Sequence, residues 1–393
     1  MPLSLKDKLV IGISTRALFD LSEANDVFER EGLKAFESYQ LEREHEQLAP
    51  GTGFALVKGF LAINDKAGRQ LIDVVLISRN SAESGLRVFN SVEAYGLPIE
   101  RGAFRGGRDP WSVLRGFNCS LFLSAEPAAV VEALRAGVPA ALALAPPAPA
   151  DESTADISEV RIAFDGDAVL FTDSSEQVYQ REGLEAFQEH ELDRIYQPMD
   201  PGPFAPFLRA LSRVQGEFPP GESPIRTALV TARNAPAHKR VIHTLRSWGV
   251  RVDEAFFLGG MEKTPVLEAF KPHIYFDDQT AHLEAARATV PSAHVITEAR
   301  QLAVFETIPE LASPLSPVVV LPSIGRSGSN GANGAKRAKG RRVRKGAKGA
   351  TVAKSSKGAE AGGDAVRIDR HGGDPRRAAR ATVSMEEPAA TGR

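Results

Sequence analysis

The run VRIAFDGDAVLF (160–171) decides how this chain is read. Val160 to Phe164 is short and apolar, the pattern of a strand buried on both faces. It ends on Asp165-Gly166-Asp167, two acids two residues apart with a glycine between them. Gly166 lets the chain turn there and lets backbone N–H groups approach an anion. Runs of the same kind recur: KLVIGIS (8–14), DVVLIS (73–78), TALVT (227–231) and HIYFDD (273–278). Between them, stretches such as EGLKAFESYQLEREH (31–45) and HKRVIHTLRSWGV (238–250) carry apolar residues at helical spacing. Strands alternating with helices predict an α/β fold with a mostly parallel, doubly wound sheet. Ligands bind such sheets at the carboxyl ends of the strands.

Working outward from Asp165, the chain repeats itself at a nearly constant spacing. Leu18-Phe19 falls under Leu170-Phe171, Arg30-Glu31-Gly32-Leu33 under Arg181-Glu182-Gly183-Leu184, and Pro50-Gly51 under Pro201-Gly202. LISRN (76–80) answers LVTARN (229–234), and Gly106-Gly107 answers Gly259-Gly260. The simplest account is two related doubly wound halves from an internal duplication. Residues 1–144 are the first half, 157–325 the second, and the Pro/Ala-rich segment APPAPADESTAD (145–156) reads as the linker.

In the second half, four strand ends carry polar residues suited to phosphate chemistry. They are Asp165 and Asp167, then Thr231, then Lys263 in a Gly/Pro-flanked loop, then Asp277-Asp278. A phosphate ester repels a nucleophile by its charge, so a divalent cation and a lysine must offset that charge. Hard cations take oxygen ligands, and Mg²⁺ commonly takes one or two carboxylates plus water and phosphate. One carboxylate can attack phosphorus, and a second acid can protonate the leaving oxygen and then activate water. Taken singly, each signal has a plain alternative: a turn for Asp-Gly-Asp, a helix cap for Thr231, a solvated lysine, with Lys239 and Lys271 competing for that role. Their order along successive strands favours the chemical reading.

The first half lacks these acids. At an offset of 152, Asp165 corresponds to Ile13 and Asp167 to Thr15; further along the chain Lys263 corresponds to Pro110 and Asp277-Asp278 to about Leu123-Ser124, while Thr231 keeps a hydroxyl at Ser78. This half reads as a catalytically silent copy. Arg16, Phe19, Arg79 and Asn80 near its strand ends, with Arg233 and Asn234 beside Thr231, are the candidates for binding a substrate, and Phe19 has a ring that stacks on a base or packs in the core.

The 393 residues are 42% hydrophobic and 25% charged, an ordinary globular composition for about two domains. A single cysteine, Cys119, excludes a disulfide framework and fits a reducing compartment. The apolar run in MPLSLKDKLVIGIST is too short for a secretory signal, and no stretch is apolar enough for a membrane span. A cytoplasmic protein is expected. Net charge is −2, but residues 326–358 hold eleven Lys/Arg and no Asp/Glu. Residues 326–393 are rich in Gly, Ala, Ser, Lys and Arg, which predicts a disordered basic tail, either a solvated appendage or a segment that binds a polyanion.

The ordered set at 165–167, 231, 263 and 277–278 resembles the signature of the haloacid-dehalogenase superfamily, whose fold is Rossmann-like. STRALFD (14–20), YQLEREH (39–45), VRIAFDGDAVLF (160–171), LVTARN (229–234), LRSWGV (245–250) and HIYFDDQ (273–279) further resemble the cytosolic type I 5′-nucleotidases, over roughly residues 5–310. The resemblance implies Mg²⁺-dependent hydrolysis of nucleoside 5′-monophosphates, AMP being the usual substrate. It implies Asp165 as nucleophile and metal ligand. Asp167 would be the general acid/base with its backbone carbonyl on the metal, Thr231 and Lys263 would hold the phosphoryl group, and Asp277 and Asp278 would complete the metal site. It also brings homo-oligomerisation and activation by a nucleoside diphosphate, which these residues do not themselves encode. Two other readings remain: a phosphatase or phosphotransferase acting on another small phosphate ester, and a nucleotide-sensing or nucleic-acid-binding protein acting through its tail.

Overall fold

In the computed structural model, the apolar runs become short strands, almost wholly buried except for the two at the edges of the sheet. The first half holds β1 (Leu9–Ile13), β2 (Ile72–Ser78), β3 (Arg101–Phe104), β4 (Leu121–Ser124) and β5 (Ala140–Ala143). The second holds β6 (Val160–Phe164), β7 (Ile225–Thr231), β8 (Glu254–Phe257), β9 (Ile274–Asp277) and β10 (Ser292–His294). The structure describes residues 4–108, 111–145 and 157–297. All belong to one compact unit, Met1–Pro322. The second unit, Ser323–Arg393, which contains the expected tail, lies outside the described residues, as does nearly all of the expected linker.

The ten strands form one sheet in the order β3-β2-β1-β4-β5-β10-β9-β6-β7-β8. Read from its outer edge inward, each half has the same order, third strand, second, first, fourth, fifth. Neighbours within each half are parallel, and β5 meets β10 antiparallel through Leu142 opposite His294 and Ala143 opposite Ala293. That one antiparallel pairing makes the carboxyl ends of the two halves emerge on opposite edges of the sheet.

Alternate side chains along each strand point to opposite faces. Leu9, Ile11 and Ile13 join Ile162, Phe164, Ile274 and Phe276 in one apolar cluster that runs across both halves. It is covered by α4 (Phe54–Ala67), α5 (Leu86–Ala94), α9 (Ala205–Gln215) and α10 (His238–Ser247). On the other face, Val10, Val75 and Phe122 pack on α6 (Trp111–Gly116) and α7 (Pro127–Arg135), while Ala163, Val230 and Tyr275 pack on α11 (Thr264–Phe270) and α12 (Thr280–Ala286). Helices on both faces make the sheet doubly wound, as expected.

The remaining helices rise from the carboxyl ends of the first strand of each half. α1 (Thr15–Leu18) is followed by α2 (Ser22–Glu31) and α3 (Leu33–Glu42), broken at Gly32 with φ 83° and ψ −174°. In the second half α8 (Ser174–Asp193) kinks at Gly183 with φ 86° and ψ −174°. A positive φ is costly for residues with a Cβ, which accounts for the glycine in both copies of Arg-Glu-Gly-Leu.

Loop hydrogen bonds also correspond pair by pair. Ser14 N–H donates to Leu123 O and Asp165 N–H to Phe276 O, both at 2.8 Å. Asn80 N–H donates to Ser78 Oγ, and Arg233 N–H to Thr231 Oγ1. Glu126 N–H donates to Ser124 Oγ, and Gln279 N–H to Asp277 Oδ1. These bonds correct the alignment by sequence offset. Asp165 answers Ser14, not Ile13. Asp277 answers Ser124, and Asp278 answers Ala125. The offset drifts because loop lengths differ between the halves, whereas the hydrogen bonds mark where each strand ends.

Candidate active site

The site forms where β6, β7 and β9 end side by side. Asp165 follows β6, Thr231 closes β7 and Asp277 closes β9, so parallel pairing of adjacent strands brings residues distant in sequence together. Asp165, Thr231, Asp277 and Asp278 are all buried. Gly166 lies against Thr231: a Cβ at 166 would come within 3.2 Å of Thr231 Oγ1. Close approach to the hydroxyl is what this glycine provides.

Lys263 arrives from the other side. After β8 the chain turns through Gly259 and Gly260, both with positive φ, and their N–H groups donate to Arg233 O and Ala232 O. This anchors the loop over the end of β7 and seats Lys263 at the start of α11. Lys263 Nζ lies 2.6 Å from Asp165 Oδ1 and 2.7 Å from Asp277 Oδ2, with its side chain almost fully enclosed. Burial opposes its charge, but the two carboxylates more than reverse that and raise its pKa. Of the three lysines considered from the sequence, the structure brings Lys263 to these acids.

Asp277 is the hub of the cluster. Its Oδ2 accepts from Lys263, from the Tyr275 hydroxyl and, at 3.1 Å, meets His282 Nδ1, while its Oδ1 accepts from the Gln279 N–H. Burial works against its ionisation, yet the His282 hydrogen bond and the Lys263 charge hold its carboxyl well below the usual range. Asp165 is pushed the other way, up to about 6, by burial and by the neighbouring Asp277, against the pull of Lys263.

Oxygen atoms of Asp165, Asp277 and Asp278 lie within 4.8 Å of one another. Three buried carboxylates face one lysine, leaving an excess of negative charge that a divalent cation would balance. The donors are all oxygens, the set that hard cations prefer. Asp165, Asp277 and Asp278 are therefore fit to hold such an ion. The carboxylate of Asp167 is not part of this cluster.

Asp167 is instead gripped by Arg233, whose Nε and Nη2 donate to its two oxygens at 2.8 and 2.7 Å. Arg233 Nη1 also donates to Glu191 Oε2 at 2.5 Å, and Glu191 Oε1 accepts from Arg240 and from Ser175. Glu191 and Arg240 were not singled out in the sequence. The signal lay in the repeat: Arg87 of the first half donates to Gln40 and to Glu46 O as Arg240 does to Glu191 and Gln197 O. An arginine at matching places in both halves marks a shared brace between helix and loop. Tyr275 and His282 gave no such signal.

The other expected residues fall elsewhere. Asn234 stays near the site, with its side chain against Gly259. Phe19 is fully buried between Phe54 and Tyr95, so its ring belongs to the core and is not available to a base. Arg16, Arg79 and Asn80 lie at the carboxyl ends of β1 and β2, on the edge of the sheet opposite Asp165, because β5 and β10 are antiparallel. Arg79 donates to Glu126 there at 2.7 Å. These residues do not join the acids of their own chain in one cleft.

Fold and site together define a doubly wound α/β protein with a buried, cation-type acidic site at the carboxyl ends of its strands. A family model for 5′-nucleotidases matches residues 1–301, and the chain belongs to the 5′-nucleotidase family. It is 38% identical over 293 residues to human cytosolic 5′-nucleotidase 1B, covering 72% of this chain and 48% of that protein. The chain thus spans about half the length of this curated relative. Among solved structures, histidinol dehydrogenase from Elizabethkingia anophelis aligns with a TM-score of 0.19 and 11% identity, over 73% of this chain and 52% of that one, too weak a likeness to support any inference. Among the described residues no helix is long and apolar enough to cross a membrane.

Proposed function

We propose that this chain is a cytoplasmic, Mg²⁺-dependent 5′-nucleotidase that hydrolyses nucleoside 5′-monophosphates, AMP foremost, to nucleoside and phosphate. The observation that carries the reading is the Asp165–Lys263–Asp277 contact at the ends of three strands, within a family of this activity. Bound Mg²⁺ would neutralise the charge of the phosphoryl group, held by Asp165, Asp277 and Asp278. Asp165 is the nucleophile: its carboxylate attacks phosphorus, the ester P–O bond breaks, and an aspartyl-phosphate forms. Lys263 orients Asp165 and offsets the charge developing on the phosphoryl oxygens. Thr231, pressed against Gly166, donates its hydroxyl to one of them. Asp167 gives its proton to the leaving 5′ oxygen and then takes one from the water that cleaves the acyl phosphate. In the structure Arg233 donates to both oxygens of Asp167, so the acid role requires Arg233 to yield when substrate enters. The matching strand orders and loop hydrogen bonds further support a duplication whose first copy lost its acids.

The test is phosphate release from nucleoside monophosphates and from simple sugar phosphates, with and without Mg²⁺, for wild type and Asp165→Asn. Mg²⁺-dependent release from nucleotides that falls by several orders of magnitude in the variant is expected. Equal activity in Asp165→Asn would overturn the site, and preferential release from sugar phosphates would overturn the substrate.

A further inference from the structure

The carboxyl edge of the first half repeats the hydrogen-bond frame of the catalytic edge with different side chains. Ser14 stands where Asp165 does, Ser78 where Thr231 does, Ser124 where Asp277 does and Ala125 where Asp278 does, as the paired hydrogen bonds show. Every carboxylate of the cation cluster is replaced by a hydroxyl or a methyl group. No carboxylate stands at those positions to hold a cation.

What remains suits an anion. Ser14 Oγ accepts from the Ala17 and Ala125 N–H groups, and Ser124 Oγ accepts from the Glu126 N–H. Among the described residues neither hydroxyl donates to a neighbour, so both hydroxyl hydrogens remain to be given. Ser124, Ser78 and Thr15 are all at least 95% buried, and Thr15 and Ser78 share one hydrogen bond at 3.4 Å. Buried donors of this kind require an acceptor. Three arginines belong to the same edge: Arg16 after β1, Arg79 after β2 and Arg105 after β3. Arg105 Nε is buried with no hydrogen-bond partner among the described residues. The nearby carboxylate, Glu126, is engaged by Arg79. A cavity of about 280 Å³ lies between α3 and the loop after β2. Its lining includes Glu37 and Glu83, so it is the wrong seat for the anion itself.

We propose that Ser14, Ser78 and Ser124, with Arg105 and Arg16, form a second, metal-independent site for a tetrahedral oxyanion of the phosphate class, on the sheet edge opposite the catalytic acids. Hydroxyl hydrogens and guanidinium groups supply the charge compensation that the cation and Lys263 supply on the other edge. The site is independent of the catalytic reading, since it uses none of the same residues.

The experiment is calorimetric titration of the full chain with inorganic phosphate in EDTA. Without a cation the three buried carboxylates repel phosphate from the catalytic edge, so binding in EDTA reports on the first half. Wild type is expected to bind, and Arg105→Gln and Ser124→Asp to bind at least tenfold more weakly, roughly one charge-assisted hydrogen bond or one added repulsion. Phosphate release from AMP in Mg²⁺ should stay within twofold of wild type in both variants. Competition with AMP in EDTA names the source: displacement means the phosphate of an ester is accepted, and no displacement means inorganic phosphate alone, either result supporting the site. Absence of phosphate binding by wild type, or unchanged binding in both variants, would overturn it. If Ser124→Asp does not fold, Arg105→Gln decides alone.

Discussion

Arg233 holds Asp167 by two parallel hydrogen bonds and Glu191 by a third, so one guanidinium ties the loop after β6 to the helix that rises over it. All three side chains are largely or wholly buried, and the two carboxylates compete for the same cation. Arg240 relieves that competition by taking the other oxygen of Glu191.

Glu191→Gln should therefore destabilise the fold by about 3 kcal/mol at neutral pH, because buried Arg240 loses its counter-ion and Arg233 is left with Asp167 alone. Burial alone would raise the Glu191 pKa, but the Arg233 charge, the Ser175 hydrogen bond and the Arg240 charge lower it overall. A depressed folded pKa stabilises above the unfolded value, near ~4.3, and the stabilisation is lost as pH falls through the folded value. Urea melts at pH 7 and at pH 3.5 should show a large gap between wild type and variant that narrows in acid. A gap independent of pH would contradict the ion-pair account.

Gly166→Ala places a methyl group against the Thr231 hydroxyl at 3.2 Å. Turnover should drop at least tenfold while stability changes by less than about 1 kcal/mol, since only one side chain must shift. Steady-state kinetics beside a thermal melt separates the two effects, and unchanged turnover would mean the hydroxyl position is immaterial.

Lys263→Met removes the cation between Asp165 and Asp277. The loss in turnover should be about 10²–10³-fold, the scale seen for one electrostatic stabiliser in an enclosed site. Mg²⁺ should bind the variant at least as tightly as wild type, because the carboxylates lose their internal competitor. Weaker Mg²⁺ binding in a melting-temperature titration would argue against that competition.

Mg²⁺ itself should raise the melting temperature of the wild-type chain, because binding to the folded state alone stabilises it by mass action. EDTA should reverse the shift, and Asp278→Asn should reduce it, without reference to activity. A shift of the same size in Asp278→Asn would remove that residue from the cation site.

Cys119 is buried and its thiol is pushed up to about 12 by burial. At pH 8 it should react with a thiol reagent far more slowly than a free cysteine, reaching the free rate only in denaturant, because the thiolate is the reactive form. Rapid labelling of the native chain would show that this part of the core opens readily.

Much of the site was readable along the chain because acids at the ends of apolar runs stay there in any parallel sheet. That Asp165, Thr231 and Asp277 meet followed from their order and their strands, whereas Lys263 was one of three candidate lysines until the loop after β8 brought it to the acids. The brace of Glu191 and Arg240 left only a faint trace, an arginine at matching places in the two halves, because each lies in an ordinary amphipathic stretch and acquires its meaning through the contact. Phe19 shows the converse: its place near a strand end left both base stacking and core packing open, and its neighbours Phe54 and Tyr95 decide for the core.

Local pattern alone determined that the chain is α/β, that its two halves follow one plan, and that the second carries the acids, because burial on both faces and strand-end polarity are properties of neighbouring residues. Only the tertiary structure decided that β5 and β10 pair antiparallel. That pairing sends the carboxyl ends of the halves to opposite edges of one sheet, so Arg16, Arg79 and Asn80 are parted from Asp165. Strand direction across a junction is set by how two edge strands find their hydrogen bonds, and no residue in either strand announces it.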